Sequence, residues 1–117
     1  MKLAFVLVVA AAALAVSAGA EARERRACCV VASEGQPTYR GPCLFLPLGG
    51  GSFSVRPVGR RLMIGDTTDV SVQILAPGVA DVRGLTAGGI NSRWGEALRS
   101  DRDRACWIGD GFSVCAY

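Results

Sequence analysis

Between Asp69 and Leu75 apolar and polar residues alternate: Val70, Val72 and Ile74 interleave with Asp69, Ser71 and Gln73. A period of two with a β-branched apolar face predicts a strand buried on one side. Ala76-Pro77-Gly78 breaks the run and Val79 to Leu85 resumes it, which predicts a hairpin. Its register follows from the faces. A two-residue Pro77-Gly78 loop would set Ile74 opposite Asp81 and Val72 opposite Arg83. A three-residue loop, Pro77 to Val79, sets Ile74 opposite Val82, Val72 opposite Gly84 and Gln73 opposite Arg83. A one-residue slip turns every side chain to the other face, so the three-residue loop is the expectation.

The C-terminus carries a second hairpin pattern. Arg104 to Ile108 and Phe112 to Ala116 flank Gly109-Asp110-Gly111, and Asp110-Gly111 suits a type I′ turn, in which both central residues have positive φ. Closing the chain there pairs Gly109 with Phe112, Ile108 with Ser113, Trp107 with Val114 and Cys106 with Cys115. Alternation from the turn makes Cys106 and Cys115 a non-hydrogen-bonded pair, whose Cα atoms approach to roughly 4.5 Å, within reach of a disulfide. Turn chemistry and cysteine spacing agree independently.

Shorter strands are predicted at Cys29 to Ala32, Cys43 to Leu46, Phe53 to Val55 and Arg61 to Ile64. In the segment Asn91 to Arg99, the spacing of Ile90, Trp94, Ala97 and Leu98 fits a helix, but Gly95 weakens that reading and a strand is preferred. From Cys28 onward 14 glycines and all 5 prolines punctuate short apolar runs. This pattern predicts an all-β domain of about eight short antiparallel strands, a small sandwich or partly closed barrel stapled by disulfides.

The hydrophobic pattern differs over residues 1–20, where 17 of 20 positions are apolar behind Lys2 and the stretch ends in Ala18-Gly19-Ala20. A basic start, an apolar run too short to span a bilayer comfortably and a small-x-small site predict a secretory signal peptide. Removing it from 117 residues leaves 97, with 12 arginines against 10 carboxylates. Residues 21–27 are charged and aperiodic, and are read as a solvated arm; residues 28–117 form a single domain. Cys28 follows Arg25-Arg26-Ala27, which is no lipidation box. No second long apolar run predicts a membrane span. The net charge of +2 after cleavage argues against a nucleic-acid partner. An exported chain, periplasmic or secreted, meets an oxidising compartment, where disulfides persist.

Five cysteines cannot all pair. With Cys106–Cys115 assigned, Cys28 and Cys29 compete for Cys43, because neighbours in a strand face opposite ways. A four-residue loop would set Cys28 opposite Cys43 and a three-residue loop would set Cys29 there. Both remain open; Cys29–Cys43 is preferred, leaving Cys28 as a free thiol or an intermolecular link.

Histidine is absent, which removes the Ser-His and Cys-His pairs of nucleophilic catalysis and the commonest zinc ligand. Leu48-Gly49-Gly50-Gly51-Ser52 lacks the Gly-Lys-Ser/Thr of a phosphate loop and reads as an inter-strand turn. Asp101-Arg102-Asp103 opens like a calcium loop, but Ala105 stands where the third oxygen ligand belongs. Glu96, Asp101 and Asp103 would support an acid–base enzyme only if the fold brought them into one pocket. The expectation is therefore a non-enzymatic protein without cofactor or metal. Every fixed cation after cleavage is an arginine, suited to bidentate recognition of carboxylate or phosphate. Arg56, Arg60 and Arg61 flank one loop; Arg93, Arg99, Arg102 and Arg104 flank another. Arg93, Trp94, Arg99, Arg102 and Arg104 are the candidate recognition residues.

Gly41-Pro42-Cys43-Leu44-Phe45, Gly50-Gly51-Ser52-Phe53-Ser54-Val55, Asn91-Ser92-Arg93-Trp94-Gly95-Glu96-Ala97 and the Ala105-Cys106-Trp107 and Val114-Cys115-Ala116 pieces resemble a group of small uncharacterised exported proteins of proteobacteria. The resemblance implies a periplasmic or secreted disulfide-bonded β domain and no known activity. Size, export, cysteine pairing and Trp94-Gly95-Glu96-Ala97 also resemble periplasmic inhibitors of c-type lysozyme. The function expected is a binding or envelope-associated module with a protein ligand in the envelope or host fluid. The alternative is an inhibitor of a lysozyme-like glycosidase, in which Arg93 would engage the enzyme's carboxylates.

Overall fold

The computed structural model describes residues 3–7, 10 and 23–117; the export signal expected over residues 1–20 lies mostly outside the described residues. Eight strands follow in order: β1 (Arg25–Ser33), β2 (Tyr39–Gly49), β3 (Ser52–Pro57), β4 (Thr67–Ala76), β5 (Val79–Thr86), β6 (Asn91–Arg99), β7 (Cys106–Gly109) and β8 (Phe112–Ala116). Each pairs antiparallel with the next, and β8 returns to β1, so the sheet closes into an up-and-down barrel. The closing seam runs from Cys29↔Ala116 to Ser33↔Phe112, and beyond it Cys28 and Tyr117 exchange backbone hydrogen bonds of 3.1 and 2.8 Å. Closure gives every strand a partner on both sides, although β7 covers only the Ala97–Arg99 end of β6. Among the described residues no helix is long and apolar enough to cross a membrane.

The alternation read from the sequence decides what fills the barrel. Val31, Val55, Val70, Val72, Val82 and Val114 are fully buried, one on each of six positions spread over β1, β3, β4, β5 and β8. An eight-stranded barrel has an interior just wide enough for such side chains, so its middle is packed. Each valine contributes roughly 1.5–3 kcal/mol by burial. Larger residues, Phe53, Trp107 and Phe112, complete the core against small ones, Ala80 and Ala97.

The C-terminal hairpin has the predicted register, with Cys106↔Cys115, Trp107↔Val114, Ile108↔Ser113 and Gly109↔Phe112. Its disulfide joins Cα atoms 4.0 Å apart. The turn differs from the expected type I′: Gly111 has φ +77°, but among the described residues no non-glycine has positive φ, so Asp110 does not. One positive φ at the second central residue is the type II pattern. Asn91–Arg99 is a strand, as preferred.

The β4–β5 register corrects the three-residue loop. The pairs are Ala76↔Val79, then Ile74↔Ala80, Gln73↔Asp81 and Val72↔Val82. The turn is Pro77-Gly78, and a bulge at Leu75 supplies the extra residue that the longer loop was meant to supply. Both devices put Val72 and Ile74 inward; the bulge does so with a pairing shifted by two. Arg61 to Ile64 is not a strand: it leads into a tight turn held by an isolated Ile64↔Thr67 bridge. Arg25, Arg26 and Ala27, read as a solvated arm, belong to β1 opposite Phe45, Leu44 and Cys43. Partners on β2 and the β1 periodicity of Arg25, Ala27, Cys29 and Val31 order them.

The Cys29–Cys43 disulfide is present, with Cα atoms 5.8 Å apart, and Cys28 is an exposed free thiol. The expected direct opposition of the pair is corrected, because Cys29 faces Gly41 and Cys43 faces Ala27. The bridge is diagonal, inside the barrel, and the turn from β1 to β2 is longer than the three or four residues foreseen.

The alternating strand directions bring the turns at 50–51 and 77–78, the loop 100–105, the start of β1 and the end of β8 to one mouth of the barrel. The connections at 34–38, 58–66, 87–90 and 110–111 lie at the other.

Candidate functional site

At the first mouth the side chains above the valine core leave a cavity of about 400 Å³. Phe45 on β2 and Phe53 on β3 stack with ring centroids 4.8 Å apart, and the Arg25 guanidinium lies 4.6 Å above the Phe45 ring. On the opposite wall Arg99 lies 5.6 Å over the buried Trp107 ring. Ile74 and Ala116 complete the apolar lining, and Arg104 stands on the rim. Each guanidinium resting on a ring gains cation–π stabilisation, and its N–H edge remains free for an anion.

The loop carrying Arg104 is held by its own polar side chains. Ser100 Oγ accepts from the amides of Arg102 and Asp103, at 3.2 Å each, and the Asp103 carboxylate accepts from the Ala105 amide at 3.1 Å. The Tyr117 hydroxyl donates to the same carboxylate. That hydrogen bond, with burial and the carboxylate's charge adding to it, raises the Tyr117 phenol above its ordinary value of 10.0. Arg99 Nε donates to the Arg104 carbonyl at 2.8 Å, tying the end of β6 across the loop. On the opposite side of this mouth, Gly49, Gly50 and Gly51 have φ of +90°, +62° and +87°. Three successive left-handed residues make that turn possible only for glycine.

The charge balance is one-sided. Among the described residues no aspartate or glutamate lines the cavity, and none of Arg25, Arg99 and Arg104 is ion-paired. Elsewhere arginines have partners. Glu24 hydrogen-bonds Arg56 at 2.9 and 3.0 Å and raises its pKa, first by that hydrogen bond and then by charge. Asp81, on the outer wall, accepts from Arg93 Nε at 2.7 Å and Arg83 Nε at 3.2 Å.

The structure therefore divides the sequence-predicted recognition residues. Arg99 and Arg104 line the mouth, and Arg102 is exposed in the loop between them. Arg93, expected to engage an enzyme's carboxylates, is paired within the chain to Asp81. Trp94 belongs to the far half of the barrel, at a bulge between the pairs Val82↔Gly95 and Arg83↔Arg93. Its indole is half-buried, edge-to-face with Phe112 at 5.7 Å, and it packs closely over Gly84. Glu96, Asp101 and Asp103 do not line the cavity: Asp101 and Asp103 stand in the loop beside it, and Glu96 sits on the outer wall opposite Asp81. Arg25, Phe45, Phe53 and Trp107 were not read as site residues. For Arg25 a signal existed in its period-two spacing with Cys29 and Val31. The aromatics gave none, since an inward aromatic near a barrel end has the same pattern as one at its centre.

Compared with family models, curated proteins and solved structures, the chain matches none.

Proposed function

We propose that this small disulfide-bonded β protein is an exported, non-catalytic binding module that takes an anionic ligand at the arginine-rimmed mouth of its barrel. One observation carries the reading: three guanidiniums converge on an aromatic-walled cavity to which, among the described residues, no Asp or Glu contributes. Charge-assisted hydrogen bonds from arginine to a carboxylate or phosphate are among the strongest available to a side chain. Two disulfides suit a periplasmic or secreted location. In a titration of the mature protein with inorganic phosphate at low ionic strength, Trp107 fluorescence reports occupancy, and Arg99→Gln with Arg104→Gln weakens binding at least tenfold. Unchanged binding in that variant places the ligand elsewhere.

Inhibition of a lysozyme-like glycosidase is the second reading. What favours it is that Arg102 and Arg104 are exposed and without ion pairs among the described residues, on a loop braced by Ser100 and Asp103. This loop is better suited than Arg93 to enter a carboxylate-lined cleft. Slowing of a c-type lysozyme at near-stoichiometric ratio, relieved by Arg104→Ala and not by Arg93→Ala, distinguishes it.

A further inference from the structure

The mouth is layered as well as charged. Arg25, Arg99 and Arg104 are exposed at its rim, whereas the surfaces beneath them are apolar: Phe53 and Trp107 are buried, and Phe45, Ile74 and Ala116 are partly buried against the core. A purely polar anion such as phosphate would use the rim and leave this lower wall wet. An anion bearing an apolar tail would satisfy the guanidiniums and displace water from the rings at the same time. The space is limited. A cavity of about 400 Å³ lies near the lower end of the ~300–1,000 Å³ typical of small-molecule sites. The packed valines below close it off from the rest of the barrel. It has room for one short chain, and two-chain lipids do not fit within it.

Resting on the binding-module reading above, we infer that the ligand class is a single-chain amphiphilic anion, a short acyl carboxylate, bound head-out with its carboxylate between Arg99 and Arg104 and its chain against Phe45, Phe53, Ile74 and Trp107. Arg99 is well suited to the head. Its Nε is committed to the Arg104 carbonyl, which orients the guanidinium and leaves its two terminal amino groups for the ligand. Arg25 closes the opposite side, seated on the Phe45 ring.

Binding of acetate, butyrate, hexanoate, octanoate and decanoate to the mature protein is measured by calorimetry, with octanol as the uncharged counterpart and inorganic phosphate as the tailless one. Each methylene entering the cavity tightens binding about fourfold, the equivalent of ~0.8 kcal/mol, until the chain outgrows the mouth and the series levels off. Octanol binds at least tenfold more weakly than octanoate. Arg99→Gln with Arg104→Gln weakens octanoate at least tenfold and leaves the increment per methylene in place. Ile74→Trp, which fills the lower wall, makes the levelling occur at a shorter chain. If acetate, octanoate and phosphate bind equally, the mouth takes anions but the amphiphile inference is overturned. If octanol equals octanoate, it is overturned as well. If none of the anions binds, the binding-module reading itself falls.

Discussion

A methyl group added at Gly109 tests how the end of the barrel opposite the arginine-rimmed mouth is packed. A Cβ there would lie 2.0, 2.2 and 2.7 Å from Cζ, Cε1 and Cε2 of Phe112. All three atoms belong to one rigid ring, so no small torsion relieves the clash and the whole ring must leave. Phe112 is buried, at 8 % exposure, and its ring is edge-to-face with Trp94. Displacing it forfeits about 1.5–3 kcal/mol of burial and about 0.5–1.5 kcal/mol of aromatic pairing. Gly109→Ala should therefore cost about 2–4 kcal/mol, with a melting temperature lower by roughly 4–8 °C for each kcal/mol. Urea unfolding with both disulfides intact measures it, with the slope checked for constancy. The decisive comparison is a double-mutant cycle with Phe112→Ala. Once the ring is gone, Ala at 109 is freed of its three clashing atoms and its cost should nearly vanish, giving a coupling of about 2–4 kcal/mol. Additivity within about 0.5 kcal/mol would falsify the idea that this ring and this glycine are one packing unit.

Two further outcomes follow from the cysteines and the C-terminus. A thiol reagent should modify one cysteine per native chain, Cys28, and all five after reduction and unfolding; non-reducing peptide maps should link only Cys29 to Cys43 and Cys106 to Cys115, and any other linkage refutes the register. In an alkaline absorbance titration, the tyrosine component lost in Tyr117→Phe should ionise above the ordinary value of 10.0, and Asp103→Ala should bring it down. Because the folded phenol holds its proton more tightly than the unfolded one, its stabilising contribution is present below pH 10 or so and fades as pH rises through the folded value; a midpoint unmoved by Asp103→Ala would remove Asp103 as the cause.

Features that depend on neighbours in the chain were legible before any tertiary structure. The cysteines of the Cys106–Cys115 hairpin are only nine positions apart, so counting back from the turn was enough to pair them. At β4–β5 the alternation of Val70, Val72 and Ile74 determined which face is buried. It did not determine the register, because a bulge at Leu75 and a longer loop satisfy the same inward pattern. Arg93 reads as a free cation in sequence because Asp81, twelve residues away, reaches it only once β5 and β6 are paired. Arg25 reads as part of a tail because its partner Phe45 lies on another strand.

By itself, then, the sequence determined the all-β class, the inward face of each clear strand and the Cys106–Cys115 pair. These rest on periodicity and short spacings. The choice between Cys28 and Cys29 for Cys43 was settled only by the fold. Tertiary structure alone decided that the sheet closes, since β1 and β8 stand at opposite ends of the domain and pair through backbone groups that every residue carries. Closure in turn decided the site. Arg25, Phe45, Phe53, Ile74, Arg99, Arg104 and Trp107 come from strands and loops spread along the domain. They share one cavity because alternating strand directions return every second chain end to the same mouth.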